Sequence, residues 1–177
     1  TVKQLDIAVA VTLLRSEPLS GVTLDSQNRP IDNALLLPIQ CGEEKLGRSI
    51  AESFSVRSGA DGRFQFPRLN EGRWRILVEA TGFAPLVSSR VDTGAQGVVF
   101  ILTKGSSIDG YCMDADSHSP AEGMGLTLDG GLLVGSVRTI TDGAGKFRFD
   151  NLPPRSYRIY PTDKQLVFSD SEDTIAL

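Results

Sequence analysis

His118 is the chain's single imidazole, and it stands among Asp114, Asp116, Ser117 and Ser119. A histidine beside carboxylates and hydroxyls has the makings of a metal ligand, a general base or the centre of a Ser/His/Asp triad. Each of these chemistries asks for more than the chain supplies. Ser119, Pro120 and Ala121 follow His118, so no His-x-x-Glu pair exists, and one imidazole cannot build a multi-histidine zinc centre. A triad needs its nucleophile on a strand-to-helix elbow, whereas residues 116–120 carry turn chemistry. Asp114 and Asp116 open like a calcium loop, but positions six and twelve are Ser119 and Gly125 instead of Gly and Glu. The expectation is an exposed turn histidine, with no catalytic residue, metal or cofactor.

Two cysteines, Cys41 and Cys112, are too few for a structural zinc site and form no disulfide framework. One bridge is arithmetically open; the apolar setting of Cys112 favours a buried free thiol. The remaining chemistry is cationic. Arg63, Arg73 and Arg75 alternate with apolar neighbours, so paired strands would set all three on one outer sheet face. Such a stripe suits carboxylates or sulfates. These arginines are the candidate ligand or partner surface, against the plainer expectation of cross-strand pairs with Asp or Glu.

The elements that would position these groups are strands. Residues 61–76 (DGRFQFPRLNEGRWRI) match residues 144–159 (AGKFRFDNLPPRSYRI) at an offset of 83. Upstream, Gly21, Asp25 and Pro30 match Gly110, Asp114 and Pro120. Self-similarity at this period means two similar units in tandem. Within each, apolar residues recur every second position, as in half-buried strands: Phe64 and Phe66, then Trp74, Ile76 and Val78. Asp and Gly punctuate the turns, and Asp25 and Asp114 are placed to cap the turns leading to Pro30 and Pro120. Residues 41–54 read as a long polar loop holding at most a short helical turn.

These residues resemble the carboxypeptidase regulatory-like domains. Gly21, Asp25, Pro30, Ile31 and Ala34 match the opening of that family, and Asp61, Gly62, Phe64, Phe66, Leu69, Gly72, Trp74 and Ile76 match its continuation. Ala80, Gly82 and Phe83 complete the corner that follows. The second unit keeps Gly110, Asp114, Pro120, Gly145, Phe147, Phe149, Leu152 and Tyr157, but has Arg155 for the turn glycine and lacks the corner. The resemblance implies an all-β chain: two tandem antiparallel Greek-key β-sandwiches of about seven strands each, transthyretin-like. Their expected limits are residues 18–104 and 105–177. Residues 1–17 would be the closing strand of a preceding repeat or an extra edge strand, and residues 174–177 a closing strand, as in a slice of a longer array. Collagen-adhesin B-type sandwiches look related and can lock themselves with a Lys–Asn bond. Glu79 stands where their assisting Glu would be, but the first strands lack the lysine, so Glu79 is expected to be an ordinary strand-end residue.

The net charge is −4, with 12 basic and 11 acidic residues up to residue 104 and 6 and 11 after it. An acidic balance without aromatics interleaved among basic residues argues against nucleic acid. No 18-residue apolar run is present to insert in a membrane. The resemblance therefore implies a non-catalytic spacer or protein-interaction module of a larger exported or cell-surface protein, extracellular or periplasmic. Its partners would be neighbouring domains or another surface protein. The alternative is a carbohydrate-binding module or the accessory domain of a secreted enzyme, with polysaccharide as ligand and Phe83, Phe100 and Phe168 as the aromatics of undecided direction.

Overall fold

The computed structural model describes residues 16–130, 137–163 and 175–176. The chain is all-β apart from one short helix. In the first half, β1 (Ser16–Asp25) lies between β5 (Arg63–Asn70) and β9 (Val98–Leu102). A second sheet carries β2 (Leu35–Cys41), β3 (Glu44–Lys45), β4 (Val56–Arg57), β6 (Arg73–Glu79), β7 (Leu86–Val87) and β8 (Val91–Asp92). The helix α1 (Arg48–Ser53) interrupts the run from β3 to β4. In the second half, β10 (Ser106–Tyr111) pairs β13 (Lys146–Leu152). Opposite them lie β11 (Gly125–Asp129), β12 (Val137–Ile140), β14 (Ser156–Pro161) and β15 (Ile175–Ala176).

Period-two alternation builds both cores. Leu19, Phe64, Phe66, Phe100 and Leu102 come from one sheet and Leu36, Trp74, Ile76 and Val78 from the other, all buried in one cluster. Ile108, Phe149 and Leu152 meet Leu126, Leu128 and Tyr157 in a second cluster. Burying such side chains contributes roughly 1.5–3 kcal/mol each, which makes these clusters the main source of stability. Phe100 stacks on Phe64 at 5.3 Å.

The two halves repeat their fine devices as well as their apolar period. Trp74 Nε1–H donates to the Asn70 carbonyl at 2.9 Å, and Tyr157 O–H donates to the Pro153 carbonyl at 2.7 Å. Each aromatic thus buries its ring and ties the turn four residues back. Ser58 Oγ accepts from the Ala34 N–H and donates to the Ile31 carbonyl. Thr141, at the same offset of 83, accepts from the Met124 N–H and donates to the Ala121 carbonyl. Asp25 accepts from the Gln27 and Arg29 N–H groups, and Asp114 from those of Asp116 and Ser117, the expected turn caps. At the junction, the Gly105 N–H donates to the Gly82 carbonyl at 3.2 Å and Phe83 bridges Lys104.

Three features differ from the sequence reading. First, β5 and β6 do not pair as a hairpin; the chain crosses at Glu71 and Gly72 from one sheet to the other. Phe64 and Phe66 must face Trp74 and Ile76 across the core, which two neighbouring strands of one sheet cannot arrange. Second, β9 runs parallel to β1, with Gly21 opposite Val98, so the sheets are not wholly antiparallel. Third, β15 pairs Ile175 with Tyr157 as β8 pairs Val91 with Trp74. It therefore corresponds to β8 and not to the closing strand β9. Among the described residues β10 pairs β13 alone, whereas its counterpart β1 pairs on both sides. Of residues 1–17, expected as a closing or extra edge strand, only Ser16 and Glu17 are described, and they open β1; residues 1–15 lie outside the described residues.

Candidate functional site

The three arginines do not form one stripe, because β5 and β6 belong to different sheets. Arg63 is exposed on β5, 3.3 Å from Asp61. Arg73 and Arg75 share the outer face of β6. Arg73 Nε donates to Asp92 Oδ1 at 3.0 Å, across the register that sets Arg73 opposite Asp92 on β8. Arg73 therefore pairs across strands, whereas the Arg63–Asp61 contact joins residues two apart in sequence. Exposed pairs of this kind contribute about 0–1 kcal/mol.

Arg75 is placed differently. Its strand face also carries Leu77, which is only 1% exposed although it points away from the main core. What covers it is α1. Leu37, Leu77 and Ala51 form a satellite apolar cluster, flanked by Leu35, Ile39, Leu46 and Val87. A six-residue helix has little stability of its own. Ala51, fully buried, seats it on the sheet, and Arg48 clamps it at both ends of the contact. The Arg48 guanidinium donates to Glu79 Oε1 and Oε2 at 3.1 and 2.9 Å and to Glu52 Oε1 at 2.9 Å. The Glu79 bonds first, then those to Glu52, raise the Arg48 pKa further above its ordinary value. Glu79 is thus the anchor of the helix clamp at the strand end.

Between α1 and the sheet lies a cavity of about 210 Å³. Leu37, Leu77, Val87 and Ala51 form its apolar part, and Gln40, Lys45, Arg48 and Arg75 its polar wall. The wall has three cationic side chains and no carboxylate. Arg48 is already neutralised by its two glutamates. Lys45 forms no ion pair among the described residues. Arg75 Nε is buried and has no hydrogen-bond partner among them. A buried donor without an acceptor costs about 1–3 kcal/mol, and this N–H lies sealed within the packing beside the cavity rather than open to it.

The second half has nothing comparable among its described residues. Thr127 and Tyr160 stand where Leu37 and Leu77 do in the first, in matching register, and Tyr160 is 42% exposed. The connection leaving β2 runs through residues 42–55, while the one leaving β11 occupies only residues 130–136. Among the described residues the cavity belongs to the first half alone.

Arg75 was legible as a candidate; Lys45, Arg48 and Gln40 were not. The available signal was Leu77, an apolar side chain on the face that Arg73, Arg75 and Glu79 make polar. His118 sits exposed in its turn with a left-handed φ of 54°, matching Asn28 at 59° in the first half. Cys41 and Cys112 are both free thiols, and burial pushes the Cys112 pKa up. Among the described residues no group of three or more His, Cys, Asp or Glu is placed to hold a metal ion. No helix among them is long and apolar enough to cross a membrane. Phe100 is buried, Phe83 half-buried, and Phe168 lies outside the described residues.

No family model matches the chain. No curated protein matches it either. Solved structures with a similar course include a Streptococcal ancillary pilin, at 12% identity and a TM-score of 0.38, covering 92% of this chain and 58% of that one. The minor pilin GBS52 of Streptococcus agalactiae is 14% identical with a TM-score of 0.38, covering 92% of this chain and 90% of that one. The shaft pilin spaA of Lactobacillus rhamnosus GG is 10% identical with a TM-score of 0.33, covering 91% and 92%. The chain thus spans little more than half of the first of these. Likeness at this level carries no argument about function.

Proposed function

We propose that the chain is a non-catalytic spacer and protein-interaction module of a larger exported or cell-surface protein, built of tandem carboxypeptidase regulatory-like sandwiches. The observation that carries this reading is the recurrence of one aromatic tie, Trp74 to Asn70 and Tyr157 to Pro153, in two halves with separate cores. A chain that repeats a whole folding device in two halves is suited to setting distance and presenting surface. The Gly105–Gly82 hydrogen bond and the Phe83–Lys104 bridge restrain the junction, which is what a stiff spacer requires. The exported location rests on the family resemblance alone, as does the expectation of neighbouring domains or a surface protein as partner. Of the aromatics of undecided direction, Phe100 is buried and Phe83 half-buried, so neither of them supports the carbohydrate-binding alternative.

The test is a distance distribution. Dyes attached at Glu43→Cys and Asp150→Cys, in a Cys41→Ser, Cys112→Ser background, report the separation of the two halves by single-molecule energy transfer. One narrow distribution, unchanged by salt, is expected. A broad or multi-state distribution would remove the spacer reading.

A further inference from the structure

We propose that the open edge of β10 accepts residues 9–13 of a second copy of this chain, laid down as a parallel strand in the place that β9 takes beside β1. This deepens the protein-interaction part of the reading above and rests on its tandem repeat, not on a stiff junction. β1 and β10 are corresponding strands, with Leu19 matching Ile108 and Gly21 matching Gly110 at an offset of 89. β1 pairs β5 on one side and β9 on the other, whereas β10 pairs β13 alone among the described residues. The difference shows in the burial of the positions that such a neighbour covers. Thr23 and Asp25, opposite Phe100 and Leu102, are buried; their counterparts Cys112 and Asp114 are half-buried and exposed. Phe64 is buried under the stacked Phe100 ring, while its counterpart Phe147 is half-buried. Beside them Tyr111 and Met113 are 67% and 63% exposed. An unpaired strand edge over an incompletely covered core is a template for another strand.

The chain holds a second segment of the β9 kind. Residues 9–13 (VAVTL) match 98–102 (VVFIL), and the alignment runs on without a gap through Arg15 and Lys104 to Gly21 and Gly110. Val11 and Leu13 take the places of Phe100 and Leu102, the buried residues of β9. Carried over, the β1–β9 register sets Gly110 opposite Val9, Cys112 opposite Val11 and Asp114 opposite Leu13. Val11 then covers the Phe147 ring as Phe100 covers Phe64, removing apolar surface from water. The segment does not reach its own β10. β9 ends with Leu102 opposite Asp25, and β10 starts four residues on, past the junction at Gly82 and Phe83. Residues 9–13 are tied instead to the Ser16 end of β1, about 30 Å away along its ten residues. The three steps from Leu13 to Ser16 span at most about 11 Å. The occupant is therefore another copy. The contact is head to tail, and its repetition builds rings or filaments of copies.

The experiment joins the two sides by a disulfide. A donor chain carries Val11→Cys, Cys41→Ser and Cys112→Ser; an acceptor chain carries Cys41→Ser and keeps Cys112. Mixed in equal amounts under mild oxidation, they should yield donor–acceptor dimers at least about tenfold above either homodimer, because the register puts the two Cα atoms within bridging range. Donors with Ala10→Cys or Thr12→Cys in place of Val11→Cys turn the thiol to the opposite face and should bridge at least about tenfold less. One chain with both Val11→Cys and Cys112 should give a ladder of dimers, trimers and longer species on a non-reducing gel. A second readout needs no cross-link. The thermal midpoint of the second half, followed by tyrosine near-ultraviolet circular dichroism, should rise with protein concentration in the unsubstituted chain. In Val11→Lys, which sets a charge over Phe147, the midpoint should not depend on concentration. Homodimers as abundant as donor–acceptor dimers, equal bridging from Ala10→Cys and Thr12→Cys, a bridge within one copy, or a concentration-independent midpoint in the unsubstituted chain would each overturn the inference. None of these outcomes bears on the energy-transfer distribution, which reports the junction inside a single copy.

Discussion

Replacing Gly21 with alanine puts a methyl group where β1, β5 and β9 meet. The new Cβ would fall on the Val98 carbonyl and lie 2.9 Å from Phe64 Cζ. The ring is held by its stack on Phe100, so it cannot swing aside freely. The carbonyl belongs to the parallel ladder that sets Gly21 opposite Val98. Relief therefore requires β9 to move. Overpacking of this kind costs about 1–3 kcal/mol, and disturbing one or two ladder hydrogen bonds adds about 1 kcal/mol each. Alanine returns about 0.5–1 kcal/mol through a stiffer unfolded chain. The net expectation is a loss of about 3 kcal/mol.

For Gly110, its counterpart on β10, the nearest atoms to a new Cβ are those of the Phe147 ring, with Cζ at 2.7 Å. That ring is half-buried and has room to give, so Gly110→Ala should cost about 1 kcal/mol or less. Urea unfolding separates the two cases. Trp74 is the sole tryptophan and reports the first half, while Tyr111, Tyr157 and Tyr160 are the three tyrosines and report the second. The tryptophan transition of Gly21→Ala should lose about 3 kcal/mol, or roughly 12–24 °C in thermal midpoint for a unit of this size. A loss below about 1 kcal/mol, or equal losses at the two glycines, would refute the argument that β9 backbone contact sets the requirement.

The other predictions address polar ties and acid. Ser58→Ala leaves the Ala34 N–H buried without a partner and the Ile31 carbonyl with the Thr23 hydroxyl alone, and should lower first-half stability by about 2 kcal/mol in the same tryptophan-detected assay. Tyr157→Phe keeps the buried ring but removes the bond to Pro153, so a loss of about 1 kcal/mol is expected in the second half, read by near-ultraviolet circular dichroism. Backbone hydrogen bonds hold the pKa of Asp25, through Arg29, and of Asp114, through Ser117, below the ordinary carboxylate value. A depressed folded pKa gives stability that is present above the unfolded value of 3.8 and lost as pH falls through the folded one. Thermal midpoints should therefore be flat above about pH 5 and fall below pH 4, less steeply in Asp25→Asn; an identical acid limb in that variant would remove the turn cap from the account.

Much of the architecture is written in local pattern. The period-two runs at Phe64–Phe66 and Trp74–Val78, the Asp25 and Asp114 turns and the offset of 83 together place the strands and assign the buried aromatics. These features are legible because strand alternation and turn geometry depend on neighbours a few residues apart. The lone His118 in its exposed turn follows for the same reason.

What the tertiary structure decided is which strands lie side by side. Alternation says that Arg63, Arg73 and Arg75 face outward, but not that β5 and β6 lie in different sheets, and so the expected stripe divides. Nor does local pattern reveal that β9 pairs β1 in parallel, since either direction of pairing accepts the same inward side chains. The cavity belongs to this second kind of knowledge. Arg75 and Leu77 are ordinary strand residues until a helix too short to stand alone is fastened across them by Ala51 and the Arg48–Glu79 clamp. Burial of Leu77 and isolation of the Arg75 N–H arise from that long-range contact. Side-chain period along one strand carries no information about what covers its outer face.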